Sequence, residues 1–234
     1  MHLQRTTCIL KKMDKKDIKL LPESKELLNI LLTDVQKEIV ERAIKEIKEN
    51  PESYNIDFFW QMDALIGGIG GYCMSFDPRL NPFPIGIGRS LFRPLQYAWA
   101  DIEDGKEICN HARHTVQDSG LHLEWVVKYV AWEISNKIGR VNLSIKKITL
   151  GQGIKMLEDR EVLSINLIKP LDLFLKLYNK SKHEINQDEE RERLFSPADA
   201  LIAYISARII GKELLKPYFS KILKNIGEYL GRLK

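Results

Sequence analysis

From Ser24 to Asn50 the apolar residues Leu27, Leu28, Leu31, Leu32, Val35, Ile39, Val40, Ala43, Ile44 and Ile47 recur at three- and four-residue steps. That spacing puts them on one face of a helix. The pattern predicts a single amphipathic helix that stops before Pro51. Asp57 to about Ile66 reads as a second helix. Beyond it Gly67, Gly68, Gly70 and Gly71, then Pro78, Pro82, Pro84 and Pro94, interrupt regular structure repeatedly. A long irregular segment is expected here, as an extended connector packed over the helices, with a functional lid as the alternative.

Ile102 to about Ile138 reads as helix again. Leu123, Val126, Val127, Val130, Ile134 and Ile138 form its stripe, and Ser119-Gly120 marks a break. Asn142 to Thr149 reads as a short strand or an extended link into a short helix near Gly153 to Leu157. Pro170 then stands where a helix accepts a first-turn proline. Leu171, Phe174, Leu175 and Tyr178 follow on one face, and the helix reaches about His183. Glu184 to Arg193 is polar and mixed in charge, which predicts an exposed loop. Ser196-Pro197-Ala198-Asp199 combines a Ser N-cap, a proline at the first helical position and an acid two residues later. Leu201, Ile202, Ile205 and Ile209 bury the helix that starts there, and Pro217 ends or kinks it before a final basic helix. The fold class is all-α, a helical bundle without a 20- to 50-residue repeat.

Composition narrows this only a little. The 234 residues are 44 % hydrophobic and 29 % charged, the balance of a chain that folds on its own core. The formal net charge of +4 is too small to point to nucleic acid by itself. From Lys216 onward, however, Lys216, Lys221, Lys224, Arg232 and Lys234 stand against Glu228 alone, and this tail equals the whole excess. It is expected to be a solvated helix face rather than a phosphate-holding arm. Cys8, Cys73 and Cys109 are few, odd in number and far apart, so a reducing compartment is expected. No run is apolar enough for a membrane span or a signal peptide, which points to a soluble cytoplasmic protein with no membrane partner.

Three groups of residues invite a chemical reading. Gly67 to Gly71 lacks the lysine and hydroxyl residue of a phosphate loop and reads as close backbone packing or a hinge. Cys109, His111, His114, Asp118, His122 and Glu124 crowd one segment, and His114, Asp118 and His122 are four residues apart, so they share a helical face that suits a first-row metal. The competing reading keeps these histidines as bonded structural residues, and no metal or other cofactor is expected. The third group is Tyr178-Asn179-Lys180-Ser181-Lys182-His183. Asn179 and His183 are i and i+4 at the margin of the apolar stripe, with Lys180 and Lys182 beside them. An imidazole, which ordinarily titrates near 6.5, can move the protons of RNA cleavage without metal. An amide and ammonium groups orient and stabilise the phosphate. The competing reading is a helix end whose basic residues answer the dipole.

Here the chain resembles the HEPN superfamily, α-helical domains that include many ribonucleases of defence and toxin systems. Leu121 to Lys128 resembles the long core helix of these domains, Phe195 to Leu201 their closing helix, and Asn179 to His183 the chemical motif. That motif is an arginine, a polar residue, three or four further residues and a histidine. Asn179 matches the polar position and His183 the histidine, while Tyr178 stands at the arginine position, so Lys180, Lys182 or a distant arginine such as Arg113 would have to replace it. The resemblance covers roughly Ile102 to Lys216. It implies a HEPN-like bundle over residues 101–234, with 1–100 as a helical extension carrying the Gly/Pro segment. It also implies a homodimer with RNA as ligand, Asn179 and His183 as catalytic residues, Lys180 and Lys182 as RNA-binding ones, and an antitoxin or other protein as partner.

Two functions of different class follow. The first is an RNA-binding protein that cleaves RNA without metal. The second is a non-catalytic helical interaction or dimerisation module, which Asn179 and His183 buried against each other would favour.

Overall fold

The structure, a computed structural model, describes residues 20–50, 85–137, 144–183 and 195–231. The described residues are 88 % helical and include no strand, so the chain is an all-α bundle as the periodicity implies. The elements are α1 (Pro22–Leu31), α2 (Asp34–Glu49), α3 (Ile85–Glu103), α4 (Gly105–Lys137), a 3-10 turn at Ile145–Lys147, α5 (Leu150–Glu158), α6 (Ile165–His183) and α7 (Pro197–Gly231). The expected helix at Asp57 to Ile66, the Gly67 to Gly71 run and the loop from Glu184 to Arg193 lie outside the described residues.

The single helix expected from Ser24 to Asn50 is two. Thr33 breaks it by a capping box: its hydroxyl accepts from the Gln36 N–H, and the Gln36 side chain accepts from the Thr33 N–H. Leu27, Leu28 and Leu32 before the break and Val40, Ala43 and Ile47 after it all join the buried cluster, while Val35 beside it is exposed. Pro94 does not end regular structure but sits inside α3. Leu91, Phe92, Leu95, Ala98, Trp99 and Ile102 are all buried there, and this burial outweighs the backbone bond that Pro94 cannot make. Pro170 is likewise inside α6, which starts at Ile165 rather than at the proline, and Pro217 does not end α7.

The helix expected from Ile102 divides at Asp104, whose carboxylate accepts from the Lys106 and Glu107 N–H groups and starts α4. Ser119-Gly120 is no break. The one non-helical residue within α4 is His111, at φ −119°, ψ 21°. Residues 144–149 form the 3-10 turn and its extended flanks instead of a strand, and Thr149 opens α5 through a second capping box with Gln152. At α7 the expected start is the one found: the Asp199 carboxylate accepts from the Ser196 N–H and hydroxyl at 3.0 and 2.6 Å, and its other oxygen accepts from the Leu21 N–H at 3.1 Å.

α4 is the central helix. It packs against α3, α5, α6 and α7, while α1 lies against α6 and α7 and α2 against α7. Leu27, Val40, Phe92, Val127, Phe174 and Leu201 belong to one buried cluster, and the expected boundary between residues 100 and 101 falls inside α3. Among the described residues no helix is long and apolar enough to cross a membrane.

Candidate functional site

The site grows from the crossing of α4 and α6. Arg113, Gln117, Gly120, Glu124 and Lys128 recur at three- and four-residue steps and so share the face of α4 turned to the last turns of α6. Gly120 permits the approach: a Cβ there would stand 2.0 Å from Cδ2 of Tyr178 and 2.5 Å from its Cγ. The Tyr178 ring therefore lies directly on the α4 backbone, buried, and its hydroxyl donates to Glu124 at 3.0 Å.

Glu124 gathers three donors. Lys182 Nζ and the Tyr178 hydroxyl share one oxygen, each at 3.0 Å, and Lys128 Nζ takes the other at 2.5 Å. Burial alone would raise the Glu124 carboxyl, but hydrogen bonds and charge from Lys128 and Lys182 prevail and hold it below its ordinary value. The Tyr178 hydroxyl is pushed up, first by burial and then by the Glu124 charge. Lys182 also lies over the Tyr178 ring, 3.9 Å from its centroid. Tyr178, which stands at the arginine position of the resemblance, is thus a packing and anchoring residue.

The end of α6 is held by its own backbone as well. The Ser181 hydroxyl donates to the Tyr178 carbonyl at 2.7 Å, and the Ser181 carbonyl accepts from Arg113 Nε at 2.7 Å and from the Gln117 amide at 2.6 Å. These two bonds satisfy a terminal helix carbonyl that would otherwise need water. Arg113, far away in sequence, thereby reaches the last turn of α6.

Asn179 and His183 are both exposed on the outer face of that turn, and among the described residues no side-chain hydrogen bond engages either. They are not buried against each other. The lysines are differently disposed. Lys180 pairs with both oxygens of Glu23 in α1, at 2.7 and 2.9 Å, and Lys182 is committed to Glu124. The four expected site residues therefore share one turn, with the imidazole and amide facing out and the ammonium groups drawn inward to carboxylates. Around Glu124 two ammonium groups, those of Lys128 and Lys182, share one carboxylate.

The expected metal face does not converge. His122 is fully buried, and its Nδ1 donates to the Leu91 carbonyl at 2.5 Å. A carbonyl only accepts, so Nδ1 carries the proton. Burial pushes its imidazole down to about 4. Glu124 faces α6, and the Cys109 side chain lies outside the described residues. Among the described residues no three His, Cys, Asp or Glu side chains are grouped to hold a metal. What the α3–α4 side does hold is a mixed cluster. His111 Nδ1 and His114 Nδ1 are 3.2 Å apart, His111 Nε2 is 3.1 Å from Glu107, and Thr115 bonds Asp101. Half-buried Asp118 is raised to about 6 by burial and the Asp101 charge, against the pull of His114.

The anchors Arg113, Gln117, Gly120 and Glu124 are what sequence reasoning missed as a set. Their three- and four-residue spacing is visible, but only the position of α6 makes it one face. Compared with models of known families, with curated proteins and with solved structures, the chain matches none.

Proposed function

We propose that this chain binds single-stranded RNA at the end of α6 and cleaves it without metal, with His183 moving a proton and Asn179 orienting the phosphate. The observation that carries the reading is the exposure of Asn179 and His183 on one face of a turn that four side chains from α4 and α1 hold rigidly. A rigid turn with outward-facing imidazole and amide suits a reaction that depends on placing a base or acid near a phosphodiester. Arg113, brought to the same turn by Ser181, supplies the guanidinium character that Tyr178 lacks. The HEPN resemblance adds a homodimer to this reading, and the three scattered cysteines add a reducing compartment.

The test is cleavage of a mixed single-stranded RNA pool in EDTA by the wild type and by His183→Ala, with binding measured on the same samples. Cleavage by the wild type that disappears in the variant, with binding retained, is the expected result. Absence of cleavage by both proteins sinks the reading.

One observation favours the second function, a helical interaction module: Lys180 and Lys182 are engaged by Glu23 and Glu124, so the motif also acts as a clamp between helices. Under that reading neither protein cleaves, and His183→Ala leaves stability and RNA binding unchanged.

A further inference from the structure

The outer face of α3 is built differently from the end of α6. Gly86, Arg89, Arg93, Gln96, Tyr97 and Ala100 recur at three- and four-residue steps and are all exposed. Leu91, Phe92, Leu95, Ala98 and Trp99 turn the other way, into the core that α3 shares with α4 and α7. Residues 85–100 contain no aspartate or glutamate. The first acid after them is Asp101, and its carboxylate accepts from the Thr115 hydroxyl of α4. Among the described residues neither Arg89 nor Arg93 has a carboxylate partner. Lys128, Lys169, Lys180 and Lys182, by contrast, are each paired with a glutamate. The stripe on α3 therefore offers two uncommitted guanidinium groups.

An aromatic ring completes it. Tyr97 is 53 % exposed, and the Arg93 guanidinium, one turn before it, lies over the ring at 6.0 Å from the centroid. From Arg89 to Tyr97 the helix rises about 12 Å, the length of about three stacked nucleotides. Where the stripe begins, a Cβ on Gly86 would meet nothing within 4 Å, so the face is open there. Each part has a matching chemistry. A guanidinium is planar and binds a phosphate through two parallel N–H bonds. An exposed ring stacks on any unpaired base, because every base has a π-face. A duplex keeps its base faces covered, and an acidic peptide answers the charge but not the ring. Cations and an aromatic on one acid-free face therefore favour a single nucleic-acid strand over either.

We infer that the outer face of α3 binds single-stranded nucleic acid, with Arg89 and Arg93 on successive phosphates and Tyr97 stacked on a base. The surface goes beyond the reading of the α6 turn and needs neither His183 nor Asn179. Its contacts are to phosphates and base faces, so it accepts a deoxyribose strand as well as a ribose one and prefers no sequence.

The experiment is fluorescence anisotropy of a labelled oligothymidylate, which has no 2′-hydroxyl to be cut, with the full chain at salt concentrations from about 50 to 200 mM. The proteins are the wild type, Arg89→Ala, Arg93→Ala, Tyr97→Ala and Tyr97→Phe, and a duplex serves as the competing probe. Each arginine variant is expected to bind more weakly and to make the slope of log affinity against log salt shallower by about 0.7, the value of one phosphate contact on a single strand. Tyr97→Ala is expected to bind about 5-fold or more weakly with the slope unchanged, and Tyr97→Phe to restore binding, because the ring is kept. The duplex is expected to bind without regard to Tyr97→Ala. The thermal midpoints of all four variants stay at the wild-type value, since these side chains are exposed.

Wild-type binding that none of the alanine variants weakens overturns this inference and leaves the α6 reading standing. Loss with both arginine variants but none with Tyr97→Ala makes the face a general anion surface and overturns it too, as does a polyglutamate peptide that binds more tightly than the oligonucleotide. A wild type that binds through the stripe but cuts no RNA leaves the inference standing and overturns the cleavage. A wild type that binds no oligonucleotide overturns the inference whatever the chain does to RNA.

Discussion

Gly120→Ala is the perturbation that bears most sharply on the crossing that builds the site. In an isolated helix the change is favourable by about 1 kcal/mol, because alanine is the better helix former. Here the new Cβ would stand 2.0, 2.4 and 2.5 Å from Cδ2, Cε2 and Cγ of Tyr178. Carbon atoms pack at about 3.5–4.0 Å, so ring and helix must separate by roughly 1.5 Å. Cγ lies at the root of the ring, so rotation of the ring cannot relieve the clash. Overpacking of this kind costs about 1–3 kcal/mol, and loss of the Tyr178 bond to the Glu124 carboxylate costs about 1.5–3 kcal/mol more. Less the helix gain, the variant should be destabilised by about 1.5–5 kcal/mol, which lowers Tm by roughly 3–20 °C for a chain of this size. Gly153→Ala is the control: its Cβ meets the Val127 Cγ1 methyl at 2.6 Å, and its next contact is at 3.5 Å. A smaller loss of about 0–2 kcal/mol is expected there, since overpacking against a single methyl is offset by alanine's helix propensity and no hydrogen bond is lost. The assay is urea and thermal unfolding followed by circular dichroism, repeated in a Tyr178→Val background where the penalty at Gly120 should shrink. Gly120→Ala as stable as the wild type, or a penalty that persists undiminished without the ring, would refute the close approach of α4 and α6.

Three further outcomes follow from the same contacts. Glu124→Gln leaves Lys128 and Lys182 without their shared counter-charge; because the group is only partly buried, a loss of about 1–3 kcal/mol is expected in urea unfolding at neutral pH. Its carboxyl is held below its ordinary 4.5, so that stabilisation is present above this value and lost as pH falls through the folded one, and the gap to the variant should close in acid. Asp118 runs the other way: raised from 3.8 to about 6, it binds its proton more tightly when folded, so stability falls as pH rises across that window. Asp118→Asn should therefore be more stable than the wild type by a margin that grows from about pH 4 to about pH 6 and is flat above; an unchanged margin in unfolding at those pH values contradicts the burial of that carboxyl. His122, lowered from 6.5 to about 4 by burial, lends stability that is present above 6.5 and lost as pH falls toward 4. His122→Gln should flatten this acid loss while weakening the protein by about 1–3 kcal/mol at neutral pH through the missing bond to the Leu91 carbonyl.

What the sequence disclosed about the fold is mostly what burial dictates. Leu123, Val126, Val127 and Val130 are buried where their spacing puts them, and Ser196, Pro197 and Asp199 start α7 as their side-chain chemistry requires. The boundaries that went astray were set by competing local signals. Pro94 and Pro170 read as punctuation, yet tertiary burial holds both inside helices, and the Thr33–Gln36 capping box lay concealed within a continuous apolar stripe. Gly120 reads as a break because glycine weakens an isolated helix, and only the Tyr178 ring explains its presence. In the site, the shared face of Asn179 and His183 was legible from the i, i+4 rule. The inward pairing of Lys180 and Lys182 was not, because Glu23 and Glu124 are remote in sequence. The same holds for Arg113, which meets α6 through a backbone carbonyl that carries no sequence signature.

The most direct test of the central claim is cleavage, in EDTA, of an oligonucleotide that carries ribose at one position and deoxyribose everywhere else, by the wild type and by His183→Ala. The account predicts a single cut by the wild type, immediately 3′ of the ribose, and none by the variant. Cutting at deoxyribose positions, equal cutting by the two proteins, or no cutting by either contradicts it.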